Sequence, residues 1–231
     1  MYHFFKRNLS KKRLRRLLKP AWLYFILKKL HPISPRYGKE RGSSIDRYYI
    51  EKFLEGNSNL ITGHCLEVED NHYTSLFGKQ IIKSDVLDIN PQNAQANLRA
   101  DLRNMPQIAD NTYDTVILTQ VLLYIDDYES AIRECRRILK PDGTLLVIVP
   151  AMCRIDVRAG VDGDYWRFTK ASANYVFGKY FKKDKLEVKT WGNVLAGLGF
   201  WTGLAQEDFS KKELDYQDEN FPVLVTIKAT K

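Results

Sequence analysis

Short apolar runs separated by polar segments recur along most of the chain. Runs rich in Val, Leu and Ile, bounded by polar or turn residues, are typical of strands buried on both faces of a sheet. We predict six such strands, at residues 64–68, 81–89, 114–119, 144–149, 186–191 and 223–230.

Two segments of the same region have the period of a helix instead. Residues 47–54 precede Gly56, a frequent helix stop, and residues 127–139 place their apolar side chains on one face and end before Pro141. Strands that alternate with helices favour a parallel sheet covered by helices on both faces. We therefore predict an α/β fold.

The first 36 residues differ from this pattern. Apolar residues recur there at helical spacing between cations, with Pro20 as a kink: Leu14, Leu17, Leu18, Ala21 and Phe25. The uninterrupted apolar run is far shorter than the roughly 20 residues that span a bilayer. Two interpretations stay open, contact with an anionic membrane surface and packing on the body, with nucleic-acid binding a weaker third. We predict a basic amphipathic tail at 1–36 and a folded domain at 43–231.

The positive charge is concentrated in that tail. The net charge of +8 over 231 residues would by itself suggest nucleic-acid binding. Residues 1–36 hold eleven basic side chains and no acidic one, whereas the remaining 195 residues hold 25 basic and 28 acidic ones, so the domain is mildly acidic. The three cysteines form no CxxC pair and the histidines no metal-ligand spacing. We expect a reducing compartment, the cytoplasm, and no metal.

Acidic side chains follow the predicted strands, where ligands bind in open α/β sheets. They are Glu67, Glu69 and Asp70 after the first strand, Asp88 after the second, and Asp101 before the third. Neither GxGxxG nor GxxxxGKS/T occurs, and carboxylates repel a pyrophosphate, so these loops disfavour NAD and ATP. They favour a cationic ligand that bears an adenosine. S-adenosylmethionine fits, because carboxylates attract its sulfonium and ammonium and accept hydrogen bonds from its ribose hydroxyls.

The stretch 100–150 resembles the central half of class I S-adenosylmethionine-dependent methyltransferases. It contains Asp101-Leu102, Tyr113-Asp114 before a strand, and 139–143 (LKPDG) before the next. Motifs at 45–49, 84–87, 163–169 and 192–196 are similar to a methyltransferase type 11-like subgroup associated with polysaccharide and glycosyl-transfer pathways. The resemblance covers roughly residues 43–231. It implies a Rossmann-like sandwich, in which helices cover both faces of a mostly parallel seven-stranded sheet with an antiparallel last strand. It also implies S-adenosylmethionine as the cofactor.

The resemblance also implies five cofactor-binding residues: Glu67 in the first loop, Asp88 at the ribose, Asp101 and Leu102 at the adenine, and Gln120 on the methyl-transfer side. We add Glu69, Asp70 and Asn71 of the first loop as candidates. Glu69 stands where relatives have a glycine, which allows positive φ and close approach of the cofactor. This glutamate would either crowd the methionine end of the cofactor or pair with its ammonium. Asn71, which tolerates left-handed geometry, is then the expected source of the turn.

Five residues are candidates for acid–base chemistry or acceptor binding: His72 in the first loop, Tyr124, and Asp164, Tyr165 and Arg167 in a long loop of the kind that covers substrates. The Asp–Arg pair with its aromatic neighbours would either bind a sugar or clamp the loop.

The leading hypothesis is methyl transfer by in-line displacement to a small-molecule, glycan or glycolipid acceptor, with peripheral contact to the inner face of the membrane. The alternative is a catalytically degenerate, methyltransferase-like scaffold subunit of a glycan-assembly system. Gly197 and Gly199 point to close packing, for which a homodimer contact is one interpretation.

Overall fold

The computed structural model describes residues 30–231, so most of the predicted tail, including its helical pattern, lies outside the described residues. Within this range the helices are α1 Ile45–Gly56, α2 His72–Phe77, α3 Tyr128–Ile138, α4 Lys170–Phe177, α5 Val194–Thr202 and α6 Lys211–Asp215. The strands are β1 Gly63–Val68, β2 Ile81–Asp88, β3 Leu98–Arg99, β4 Tyr113–Thr119, β5 Leu139–Pro150, β6 Leu186–Trp191 and β7 Leu224–Thr230.

The strands form one sheet in the order β3-β2-β1-β4-β5-β7-β6. Pairing is parallel from β3 through β5, whereas β7 lies antiparallel to both β5 and β6. The chain builds outward from β1 to β3 and then returns to place β4 on the other side of β1. The carboxyl ends of β1 and β4 therefore border the point where strand order reverses, the usual ligand site of such sheets. The predicted sandwich with an antiparallel last strand is confirmed.

The alternation of side chains along each central strand produces two apolar layers. Leu66, Val116 and Val147 belong to one layer, which packs against α3 and α4. Cys65, Ile117, Leu146 and Ile148 belong to the other, which packs against α1 and α5. Because each central strand is covered on both faces, its sequence is apolar throughout, and this is why the strands were predictable.

The sequence pattern does not predict α2, and it places His72 in a loop instead of at the start of this helix. The helix has six residues, too few to display a helical period. Its first N–H groups are held from outside, since Glu67 accepts hydrogen bonds from Tyr73 N (3.1 Å) and Thr74 N (2.8 Å). The hydrogen bonds from Glu67 of β1 therefore stabilise a helix that the local sequence does not predict.

Residues 31–44 run along the body before α1 begins. Ile33 N donates to Thr202 O at 2.8 Å, and Ser34 is buried. Tyr37 stacks on Phe200 of α5, with 5.4 Å between ring centroids. These contacts bring the N-terminal segment to the edge of the sheet where β1 and β4 end. None of the helices within residues 30–231 is long and apolar enough to cross a membrane.

Candidate functional site

A cavity of about 180 Å³ opens where the carboxyl ends of β1 and β4 diverge. Its walls come from five parts of the chain: the N-terminal segment (Tyr37), the start of α1 (Asp46), the end of β1 and the loop after it (Glu67, Glu69, Asp70), the end of β4 and the residues after it (Thr119, Gln120, Tyr124), and the loop between β5 and α4 (Arg154, Asp156, Arg158, Asp164). The remaining predicted site residues lie outside this lining: Asn71, His72, Asp88, Asp101, Leu102, Tyr165 and Arg167.

Glu67 is buried at the carboxyl end of β1, and both of its oxygens are engaged. Oε1 accepts from Tyr73 N and Oε2 from Thr74 N. Burial raises the pKa of the Glu67 carboxyl to about 7, although the Thr74 and Tyr73 N–H groups oppose the shift. In this arrangement Glu67 fixes the loop between β1 and α2 and thereby shapes one wall of the cavity.

Replacing Glu67 with glutamine is expected to remove a pH dependence of stability. The pKa of this carboxyl is near 4.5 in the unfolded chain and about 7 in the folded one. The folded protein therefore binds the extra proton in this window, and the contribution of Glu67 to the free energy of unfolding falls as pH rises from 4.5 to 7. The loss is about 3 kcal/mol at about 1.4 kcal/mol per pKa unit. Urea denaturation of both proteins at several pH values measures this loss. If the free energy of unfolding changed with pH in the same way in both proteins, the raised pKa of Glu67 would be contradicted.

Glu69 adopts the left-handed backbone conformation, with φ of 74°, whereas Asn71 has φ of −112°. The expectation that Asn71 supplies the turn is therefore wrong, because the chain turns at the position where relatives have glycine. Asn93 donates to the Glu69 carbonyl at 2.6 Å and holds this turn from the β2–β3 connection. The Glu69 carboxylate lies 3.6 Å from the Arg158 guanidinium, so it faces across the cavity mouth.

Asp88 ends β2, and the same asparagine positions its carboxylate. Asn93 Nδ2 donates to Oδ2 at 2.7 Å, and Asn90 N donates to Oδ1 at 2.8 Å. Each carboxylate oxygen has a further lone pair for a ligand hydroxyl. Because Asn93 bonds to both Asp88 and the Glu69 carbonyl, the end of β2 and the loop after β1 form one connected rim.

The Asp101 carboxylate already has a strong partner. Arg103 Nε donates to both of its oxygens, and Arg103 Nη2 lies 2.6 Å from Oδ2. Arg103 also pairs with Asp126 at 2.6 Å. These hydrogen bonds from Arg103 hold the pKa of Asp101 below its usual value. The neighbouring Leu102 is buried in the core. An adenine amino group would have to compete with the guanidinium for this carboxylate.

The last residue of β4 and the residue after it present polar atoms without hydrogen-bond partners among the described residues. Gln120 Oε1 and Thr119 Oγ1 are buried and unpaired, and Gln120 also has a positive φ, of 56°. On the opposite wall, Asp46 Oδ1 and Arg154 Nε are likewise buried and unpaired. A buried polar atom without a partner is costly, and these four atoms belong to residues that line the cavity.

The predicted catalytic residues have different environments. His72 is exposed and outside the cavity, with its ring against Tyr73. The Tyr124 hydroxyl donates to Asp156 Oδ2 at 3.1 Å, and burial raises the pKa of Tyr124 well above its usual value. Tyr124 is therefore a hydrogen-bond donor in the cavity and unsuited to accept a proton.

Asp164 and Arg167 form a clamp inside the loop between β5 and α4. Arg167 pairs with Asp164 Oδ1 at 2.6 Å and also donates to the carbonyl oxygens of Cys153 and Arg154. The other oxygen of Asp164 accepts from Asp156 N at 2.9 Å. Tyr165 is half exposed and is not among the residues that line the cavity. Of the two interpretations of this motif, the geometry favours the clamp, which positions Asp156 at the cavity.

Sequence reasoning missed several residues of the cavity wall: Tyr37, Asp46, Arg154, Asp156 and Arg158. Arg154 stacks on Tyr37 with 3.9 Å from the guanidinium carbon to the ring centroid, and Asp46 lies at the start of α1 beside them. Asp156 accepts from Arg158 N at 2.8 Å. Of these residues only Asp46 could have been predicted from the sequence, since it belongs to the motif at 45–49. The others come together only in the folded structure.

Both the sequence and the fold resemble those of known methyltransferases. Residues 70–147 match a family model described as a methyltransferase domain. A demethylmenaquinone methyltransferase from Staphylococcus epidermidis is 30% identical over 90 residues, which cover 39% of this chain and 35% of that protein. The chain thus matches about a third of the length of this relative.

Solved structures share the whole fold at low identity. A SAM-dependent methyltransferase from Archaeoglobus fulgidus is 13% identical with a TM-score of 0.55, covering 90% of this chain and 99% of that one. An S-adenosylmethionine-dependent methyltransferase from Mesorhizobium loti is 14% identical with a TM-score of 0.55, covering 81% of this chain and all of that one (100%). At these identities the likeness shows a common fold.

Proposed function

We propose that this chain, which matches a methyltransferase-domain family model over residues 70–147 and shares the fold of S-adenosylmethionine-dependent methyltransferases, methylates a small-molecule, glycan or glycolipid acceptor in the cytoplasm. The observation that carries the proposal is the cavity at the switch point with unpaired polar atoms on both walls. The free cysteines suit a reducing compartment.

The residues present fit S-adenosylmethionine in charge and placement. Asp88 ends β2 and offers carboxylate lone pairs to ribose hydroxyls, and Gln120 Oε1 and Thr119 Oγ1 offer buried acceptors beside the end of β1. The cavity volume of about 180 Å³ is small against the usual range of roughly 300–1,000 Å³ for ligand pockets. The Glu69–Arg158 ion pair narrows its mouth, and such an exposed pair separates at a cost of about 1 kcal/mol or less.

The opposite wall supports a hydroxyl-bearing acceptor. Asp46 Oδ1 is a hydrogen-bond acceptor and Arg154 Nε is a donor, and neither atom has a partner among the described residues. A hydroxyl group satisfies both kinds of atom, and the Tyr37 ring beside Arg154 provides a face for the carbon skeleton. The resemblance of several motifs to proteins of polysaccharide pathways supports a glycan as the source of these hydroxyls.

When bound, S-adenosylmethionine supplies an electrophilic methyl group on a sulfonium. The protein's contribution is to hold the acceptor oxygen in line with that group and to exclude water. Asp46, whose Oδ1 has no partner among the described residues, is the carboxylate that would take up the hydroxyl proton. The Arg167–Asp164 clamp keeps the covering loop, with Asp156 and Arg158, over the cavity.

Calorimetric titration with S-adenosylmethionine and S-adenosylhomocysteine tests the proposal. Both ligands are expected to bind, because the rim of β1, β2 and β4 recognises the adenosine and amino-acid parts that they share. Absence of heat with either ligand at millimolar concentration would overturn the proposal.

The alternative is a scaffold subunit without catalysis, and the glutamate at position 69 favours it. Replacing Glu69 with glycine should raise the free energy of unfolding by about 1–2 kcal/mol, since a residue with a Cβ is strained at φ of 74°. It should also leave cofactor affinity equal or higher, because the pair with Arg158 at the mouth is lost. The variant Glu69→Gln is the matched control, as it removes the charge and keeps the strain. A scaffold protein would bind no cofactor in any of the three forms.

A further inference from the structure

The outward face of α5 is apolar, contrary to the usual pattern of a surface helix. Its inward residues, Gly197 and Phe200 among them, pack on the body. Val194, Leu198 and Trp201 point outward and are 52%, 39% and 50% exposed. Their spacing of four and three residues aligns them on one face, and α5 contains no charged residue. We call these three side chains the apolar stripe.

The basic tail leaves the body at the end of this stripe. Ile33 N donates to Thr202 O, the last residue of α5, and the backbone of Gly203 touches Ser34, where a Cβ would lie 2.3 Å from the Ser34 carbonyl oxygen. Leu30, the first described residue, is almost fully exposed. Residues 1–29 contain ten basic side chains and no acidic one. The most basic segment of the chain is therefore tethered beside its exposed apolar helix.

We propose that the apolar stripe is a docking surface for an anionic lipid membrane, and that the positive charge of residues 1–29 strengthens the attraction to such a membrane. A half-exposed tryptophan with aliphatic neighbours suits the boundary between headgroups and acyl chains, and tethered cations add attraction to anionic headgroups. A symmetric dimer through the same stripe would bring two strongly basic segments together, which like-charge repulsion disfavours.

The surface lies next to the cavity, because α5 contributes both. Phe200 lines the cavity from the inner side of the helix whose outer side carries the stripe. Docking would place the mouth of the cavity close to the headgroup layer, within reach of an acceptor held in the membrane. The proposal does not depend on methyl transfer, since lipid binding is measured without cofactor or acceptor.

Co-sedimentation of the full chain with vesicles tests it. The protein is expected to bind phosphatidylcholine vesicles that contain phosphatidylglycerol, to release them as salt is raised, and to bind pure phosphatidylcholine weakly. The double variant Leu198→Gln/Trp201→Gln should lose about tenfold or more in partitioning, given the half-exposed area that each side chain buries. The matched control is Ile82→Gln, which removes an apolar side chain that is 86% exposed on β2 and should bind as the wild type does.

Two further variants exclude the competing occupants. Replacing the five cations at 11–13 and 15–16 with glutamine should abolish the preference for anionic vesicles, and Val194→Ser provides a milder stripe variant should the double variant fold poorly. Wild-type binding by folded stripe variants would overturn the proposal, since the tail alone would then suffice. A wild-type dimer that the stripe variants convert to monomer in sedimentation velocity would overturn it in favour of a second copy of the chain.

Discussion

Replacing Asp85 with alanine is expected to lower the free energy of unfolding by about 3–5 kcal/mol, the usual effect of removing one partner from a buried charged network. Asp85 lies in the middle of β2 and is buried. Its carboxylate is 2.6 Å from His64 Nε2 and accepts from Lys83 Nζ and Asn97 Nδ2, and from the buried Tyr113 hydroxyl at 3.0 Å. Alanine leaves these donors without an acceptor between β1, β2 and β4.

The same variant should also lose part of the pH dependence of the free energy of unfolding at acid pH. Burial alone would raise the pKa of the Asp85 carboxyl, but hydrogen bonds from Lys83, His64 and other neighbours lower it to about 2. The stabilisation is thus present above the unfolded pKa near 4 and is lost as pH falls toward 2.

Lys83→Ala is the matched control for Asp85→Ala. The lysine is the exposed partner of the network, with a side chain that is 60% exposed, so its loss should cost about 1 kcal/mol or less. Urea denaturation of the three proteins measures the difference. Equal losses in the two variants would contradict the view that the buried carboxylate organises the network.

Replacing Asp88 with alanine is expected to weaken binding of S-adenosylhomocysteine about 100-fold. A carboxylate that accepts from ribose hydroxyls contributes hydrogen bonds of about 1.5–3 kcal/mol each, and loss of about 3 kcal/mol corresponds to this factor in Kd. Calorimetry on a variant with unchanged thermal stability measures the effect. An unchanged Kd in folded Asp88→Ala would remove Asp88 from the ribose site.

Two neighbouring variants sharpen the Asp88 result. Asn93→Ala keeps the carboxylate but removes the amide that donates to both Asp88 and the Glu69 carbonyl, so a loss of about tenfold is expected. Asp101→Ala removes a carboxylate that Arg103 already engages, so its effect on affinity should be smaller than that of Asp88→Ala. A larger loss of affinity in Asp101→Ala than in Asp88→Ala would show that the Asp101 carboxylate leaves Arg103 to bind the adenine.

The candidate site was only partly predictable because acidic side chains have three different roles in it. The sequence analysis predicts functional residues at strand ends and in loops, among them Glu67, Asp88 and Asp164. In the structure Glu67 holds backbone N–H groups, Asp164 holds Arg167, and Asp88 retains lone pairs at an open rim. Which donor reaches a carboxylate depends on folding, and the sequence gives no distance for any of these pairs.

By itself the sequence determined the position of the main strands, the parallel sheet and the acidic edge at which ligands bind, because buried strands and strand ends are written in local runs of residues. Only the tertiary structure decided that Glu69 turns the chain, that Asp46 and Arg154 line the same cavity, and that the apolar side of α5 is exposed where residues 33 and 34 contact the end of this helix. Each of these features joins segments far apart in the chain. Their physical cause is therefore packing, which no local pattern records.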